Sequence, residues 1–158
     1  MRVASVVRRS GLVVAAVAAA VAAAFVGLGA ASTAVPVGHA MKGEMTFYNN
    51  SGFGACGTQI NAATQMLVAV SHTWWTAPNP NNDPLCQGVS VEVTYHGKTI
   101  TVPVEDKCPS CASNHLDLSQ PAFAALAPLS VGIVHGIHWK FVKSTGAVPG
   151  GPHSGTSP

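Results

Sequence analysis

Val104-Glu105-Asp106-Lys107-Cys108-Pro109-Ser110-Cys111, followed by Leu116-Asp117-Leu118-Ser119, is the stretch on which the reading of this chain turns. It joins the end of a predicted strand, a Cys-x-x-Cys loop and two carboxylates 11 residues apart. A bridged loop this short folds the chain back and can bring Asp106 and Asp117 near one another. Two readings follow. The aspartates are paired acids lining a groove, or they are structural and hydrogen-bond backbone amides in a stapled loop.

Upstream, residues 1–34 read as a signal peptide. Arg2, Arg8 and Arg9 form a basic start, and Gly11 to Ala31 is almost wholly apolar and Ala-rich. Ser32-Thr33-Ala34 supplies small residues for a cut, and Gly38-His39-Ala40 is a later candidate site. The apolar run is long enough to span a bilayer as an anchor. The small-residue sites and the lack of a basic stop-transfer flank favour cleavage. The mature chain is then expected to be secreted and extracellular, with no membrane association left.

Cleavage changes the charge. The whole chain carries a formal +2, but all three arginines leave with the leader. What remains is Lys42, Lys98, Lys107, Lys140 and Lys143 against Glu44, Asp83, Glu92, Glu105, Asp106 and Asp117, a net charge of −1. No basic cluster survives, which excludes nucleic acid as an expected partner.

The mature length fits one domain, expected over residues 41–143. Residues 144–158 are Gly, Pro, Ser and Thr-rich and predict a disordered tail. A core this small gains from disulfides in an exported protein. The four cysteines, Cys56, Cys86, Cys108 and Cys111, therefore read as two bridges. Of the three pairings, Cys56–Cys86 with Cys108–Cys111 is favoured. The first would close a loop of about 30 residues, worth on the order of 3–4 kcal/mol in the loop-entropy model. A four-cysteine zinc site needs a second close pair, and Cys56 and Cys86 are far apart. A redox dithiol at Cys108 and Cys111 needs a helix N-terminus, which Asp106 and Pro121 do not suit.

Most of the mature chain reads as strands. Gly43 to Tyr48 is a short strand entering a Gly-rich turn over Asn49 to Gly57. Met66 to Val70 is a continuous apolar run fit for a buried strand. Val89, Val91, Val93 and Tyr95 alternate with polar residues, as do Ile100, Val102 and Val104. His96-Gly97 between them reads as a two-residue hairpin turn. Pro103 marks a free edge or a bulge. Ser119 is placed to N-cap a short helix over Pro121 to Leu126, with Phe123 and Leu126 facing the core and Pro128 ending it. Ile137, Trp139 and Phe141 alternate in a final strand. Many short strands with one or two small helices predict a small closed or nearly closed barrel.

Several motifs then resemble one superfamily in order. They are Gly43-x-x-Thr46-Phe47-Tyr48, Gly54-Ala55-Cys56-Gly57, Leu67 to Val70, Asn79 to Cys86, Asp106-x-Cys108-Pro109-x-Cys111, Leu116-Asp117-Leu118-Ser119 and Phe123. Together they resemble the double-psi β-barrels: barwin-like proteins, expansin domain 1, rare lipoprotein A-like domains and secreted papain inhibitors of Streptomyces type. The resemblance covers Gly43 to Val142 and implies a mainly β fold, a six-stranded double-psi barrel with a surface groove. The fold does not choose the function, because it hosts several.

For glycan-acting relatives the resemblance implies groove residues Thr46, Tyr48, Asp106 and Asp117, with Asp117 as the key acid. Inverting hydrolysis needs a second carboxylate as base. In barrel-type endoglucanases it follows the first strand, where this chain has Asn49 and Asn50. Asn cannot take the proton, so the chain is expected to be non-hydrolytic. A lytic transglycosylase needs one acid/base group and could still use Asp117. Trp74 and Trp75 precede a Pro- and Asn-rich loop and are candidate binding residues for a sugar or a protein. The plainer alternative has one ring capping the core and the other partly exposed. The seven histidines are scattered, and His135 and His138 read as structural or solvated rather than metal ligands. No cofactor or metal is expected. The stand-alone barrel and Ala-rich leader most resemble the papain-inhibitor type, which implies a monomer that occludes papain-like cysteine proteases. The Gly-rich turn near Cys56 and the Trp74 to Asp83 loop are the candidate contact regions. The alternative partner is a cell-wall polysaccharide.

Overall fold

The computed structural model describes residues 35–144. The predicted leader and tail lie outside the described residues, apart from Val35 to Ala40 and Ser144. The elements are β1 (Met41–Tyr48), β2 (Ser51–Phe53), β3 (Gln59–Asn61), β4 (Val68–Ser71), β5 (Val89–Tyr95), β6 (Lys98–Cys108), β7 (His115–Ser119), α1 (Gln120–Leu126) and β8 (Val134–Lys143). Six strands close into a barrel in the order β1-β7-β4-β6-β5-β8, and β2 and β3 form a separate ribbon. Two of the pairings, β1 with β7 and β4 with β6, are parallel, so the barrel is not a simple meander.

Alternation sets what faces inward. Met45, Val68, Val70, Val91, Val93, Val102, Val104, Leu116, Leu118, Ile137 and Phe141 form one buried cluster. Phe123, Ala122 and Leu126 of α1 join it from one side of the helix, as their spacing predicts. Phe123 is fully buried, and its ring lies 5.1 Å from Phe47. Burial of a side chain that size stabilises by about 2–3 kcal/mol over exposure.

The hairpin turn between β5 and β6 forms as predicted. His96 has φ +46° and Gly97 φ +78°, with Tyr95 opposite Lys98. Positive φ at both central residues matches the right-handed twist of the flanking strands. Both predicted disulfides form, Cys56–Cys86 and Cys108–Cys111.

Local expectations shift in four places. Strand β6 does not stop at Val104 but runs to Cys108. Parallel pairing with β4 carries it on, with Ala69 opposite Asp106 and Ser71 opposite Cys108. The register slips there, leaving Glu105 unopposed as a bulge just beyond Pro103. On its β4 side the ladder begins only at Val104, so Pro103 does have a free flank. Met66 stays exposed, and β4 starts two residues later at Val68. Leu116 to Ser119 is a strand because Met45 to Tyr48 and Val68 to Val70 pair with it on both sides. Ser119 stands at the N-cap position, but its hydroxyl makes no cap bond. It accepts instead from the Leu67 amide at 3.1 Å. Pro121 near the helix start removes one of the amides a cap would satisfy.

Candidate functional site

One row of side chains crosses the outer face of four strands. Thr46 on β1 is opposite Asp117 on β7, which is opposite Ala69 on β4, which is opposite Asp106 on β6. Side chains two apart share a face, so Glu44 and Tyr48 lie beside Thr46, and His115 beside Asp117. The alternation that buries Met45, Leu116 and Val68 turns the residues of β1, β7 and β4 outward, and the bulge at Glu105 brings Asp106 to the same face. Ala69 contributes almost no bulk between the two aspartates and is buried, packed with Cys108, Cys111 and Tyr48. With one strand between them, Asp106 and Asp117 are held roughly 10 Å apart at their backbones.

The two carboxylates are held differently. Asp106 Oδ1 accepts from the Ala55 amide at 3.0 Å and the Lys107 amide at 2.8 Å, and Oδ2 receives the Tyr48 hydroxyl at 3.4 Å. Asp106 therefore matches the structural reading and also faces the groove. Asp117 receives no backbone amide among the described bonds; its partner is the Thr46 hydroxyl at 2.7 Å. Partial burial raises the Asp117 carboxyl above the usual carboxylate range, and the charge of Asp106 adds to it. The Thr46 bond and the charge of His115 pull the other way without cancelling the rise. Burial, followed by the charges of Asp106 and Asp117, pushes the Tyr48 phenol far above its ordinary value. Tyr48 is therefore a hydrogen-bond donor here, not a base.

The predicted groove set of Thr46, Tyr48, Asp106 and Asp117 is thus brought together. Trp74 and Trp75 are not part of it. Both are half-buried. Trp74 packs edge-on against Phe141 at 5.4 Å and Trp139 at 6.2 Å, and its indole N–H donates to the Ser113 carbonyl at 2.7 Å. Trp75 donates to the Val70 carbonyl at 3.4 Å and lies under the Lys107 ammonium, 5.4 Å from the ring centre. Sequence reasoning missed His115 and Glu44. His115 Nε2 is 2.8 Å from the Thr46 hydroxyl, and its Nδ1 is 3.2 Å from Glu44. The available signal was spacing: His115 is two residues before Asp117, and Glu44 two before Thr46, on strands that pair. His135, read as solvated, is exposed but bound to Glu44 at 2.8 Å. Asn49 and Asn50 follow β1 and are exposed.

A second feature is the ribbon of β2 and β3 and its turn. Phe53 stands 79 % exposed there. The turn is fastened by the Cys56–Cys86 bridge, by the Ala55 bond to Asp106, by the Cys56 amide to the Glu105 carbonyl at 3.2 Å, and by Thr58 to Glu105 at 2.6 Å. Gly54 lies so close to the Glu105 carbonyl that a Cβ there would collide with it. The loop after Trp75 is pinned from within by Asp83, which is fully buried. Its carboxylate accepts from the amides of Thr76 at 2.7 Å, Ala77 at 2.8 Å and Leu85 at 3.0 Å. Burial works against the charge, but these amides outweigh it and hold the carboxyl below its ordinary value.

A closed six-stranded barrel with two parallel strand pairs is the architecture expected of the double-psi β-barrel proteins. The chain belongs to that family: residues 40–138 match its model, which is described as lytic transglycolase. It is 64% identical over 115 residues to the papain inhibitor of Streptomyces mobaraensis, covering 73% of this chain and 80% of that protein. The solved structure of the Streptomyces papain inhibitor matches with a TM-score of 0.68, covering 69% of this chain and 99% of that one. An expansin of Clavibacter michiganensis, solved in complex with cellohexaose, matches at 30% identity and a TM-score of 0.52. That match covers 72% of this chain and 54% of the expansin.

Proposed function

We propose that this protein is a secreted inhibitor of papain-like cysteine proteases. The observation that carries the reading is the 64% identity to a protein named for papain inhibition, over most of both chains. The geometry supports it. A cleft is occluded at least entropic cost by a loop that is already rigid. The Gly54 to Gly57 turn has that character, and among the described residues Phe53 beside it is the large apolar side chain left most open. We assign the contact to this ribbon in preference to Trp74 and Trp75, whose indoles are committed to the barrel.

The test is a titration of the purified, oxidised domain against papain with a fluorogenic peptide. Stoichiometric loss of activity is expected, and it must elute with the protein on gel filtration and be retained by a small-pore membrane. Phe53→Ala should weaken inhibition at least about tenfold, as an interface anchor does. Full papain activity at a large molar excess, or inhibition that leaves with the small-molecule fraction, would sink the reading.

The half-buried Thr46–Asp117 pair favours a second reading, binding of cell-wall polysaccharide. The expansin solved with cellohexaose is the neighbour that supports it. Asp117→Asn separates the two, since it should abolish glycan binding and spare protease inhibition. Export also predicts a processing site. Val35 packs on the core, and the Gly38 amide donates to the Phe141 carbonyl at 2.8 Å. A cut after Ala34 keeps this arm, and a cut after Ala40 removes it. The intact mass of the exported protein is expected to begin at Val35.

A further inference from the structure

A line of hydrogen bonds leads away from the groove acid to the surface. Thr46 has one proton and gives it to Asp117 at 2.7 Å. Its 2.8 Å contact with His115 Nε2 is therefore made with the nitrogen as donor. On the other side of the ring, Nδ1 is 3.2 Å from Glu44 Oε1, and Glu44 Oε2 is 2.8 Å from Nδ1 of His135. The His115 side chain is 18% exposed, Glu44 28% and His135 71%. Three strands supply the line: β1 gives Glu44 and Thr46, β7 gives His115 and Asp117, and β8 gives His135.

We propose that His115 is the positioning residue for Asp117: clamped by Glu44, it acts through the Thr46 hydroxyl to orient the Asp117 carboxyl and to set when that carboxyl gives up its proton. The clamp matters because a threonine hydroxyl is free to rotate. Only a fixed donor on its oxygen keeps its proton aimed at Asp117. The groups facing Asp117 can be set out by element. Strand β1 brings the Thr46 and Tyr48 hydroxyls. Strand β6 brings the Asp106 charge, and β4 only the Ala69 methyl. His115 is the one basic side chain among these groups, and its charge, when the ring is protonated, is what opposes burial and Asp106. Beyond it, Glu44 and His135 couple the line to solvent. The role belongs to the free protein and holds with no protease or glycan bound.

The experiment is a carboxyl carbon NMR titration of the labelled, oxidised domain. The variants are His115→Gln, Thr46→Val and Glu44→Gln. Glu92, paired with Lys140 at 2.8 Å outside this line, is the internal reference. Gln keeps a donor for Thr46 but removes the positive charge. An upward shift of the Asp117 midpoint is expected in His115→Gln and in Thr46→Val, and a smaller one in Glu44→Gln, with Glu92 unmoved. A folded His115→Gln variant with an unchanged Asp117 midpoint overturns the proposal, as does a shift that Glu92 shares. If His115→Gln does not fold, the other two variants decide: no upward shift in either overturns it.

Discussion

Asp83 and Asp117 are both carboxylates withdrawn from water, and they are displaced in opposite directions. Asp83 has no exposed surface, yet its carboxyl is held below the ordinary value, because three backbone amides converge on it and outweigh its burial. Asp117 is half-buried, and that burial raises its carboxyl, with the charge of Asp106 adding to it; the one hydroxyl bonded to it, from Thr46, does not cancel the rise. Burial pushes both carboxyls up, and the number of donors decides which way the balance falls. A carboxylate saturated by amides has no capacity left for a ligand and acts as a loop pin. One with a single side-chain partner retains lone pairs and a movable proton. Asp106, with two amides and a long bond to Tyr48, stands between them.

Variants can break that comparison, and the largest effect is expected at Asp83. Asp83→Ala leaves the Thr76, Ala77 and Leu85 amides without their acceptor. It should lower stability by about 3 kcal/mol, read as a fall in the urea midpoint with an unchanged slope. The acid limb of stability carries the sign. A folded carboxyl held below its unfolded value stabilises fully above the unfolded pKa of about 4. That gain is lost as pH falls through the folded pKa. Asp83→Asn should therefore flatten the acid limb.

Asp117 has the reverse sign. A folded carboxyl raised above its unfolded value is most favourable below the unfolded pKa, and the advantage is lost as pH rises through the folded pKa. Asp117→Asn should leave stability at pH 7 unchanged or raise it, within about 1 kcal/mol in thermal melts. A large destabilisation would instead make Asp117 a second structural acid. The smallest effect is expected at Tyr48. Tyr48→Phe removes one long hydrogen bond from Asp106, which keeps its two amides, and should cost less than about 1 kcal/mol.

Asp106 and Asp117 were legible through motifs that resemble the double-psi family, not through periodicity: β6 carries Asp106 outward only past the bulge at Glu105, and β7 is a strand by virtue of its pairing. The hydrogen-bond partners of the two acids were not legible. Asp106 takes an amide from Ala55, 51 residues earlier, and Asp117 a hydroxyl from Thr46, 71 residues earlier. His115 looked like one of several scattered histidines until β7 paired with β1 and set it opposite Glu44. The β2–β3 ribbon was hidden inside a Gly-rich turn. Two three-residue strands have too little periodicity to read, and Phe53 makes no apolar pattern there.

By itself, then, the sequence determined the β-barrel, the two disulfides, the hairpin at His96-Gly97 and the core faces of β5, β8 and α1. These follow from local periodicity, turn chemistry and cysteine number. Only the tertiary structure decided the length of β6, the use of the Ser119 hydroxyl, the line from Asp117 to His135 and the opposite fates of Asp83 and Asp117. Each of these depends on which donors and acceptors arrive from distant strands, and register between strands is set by the packing of the whole barrel.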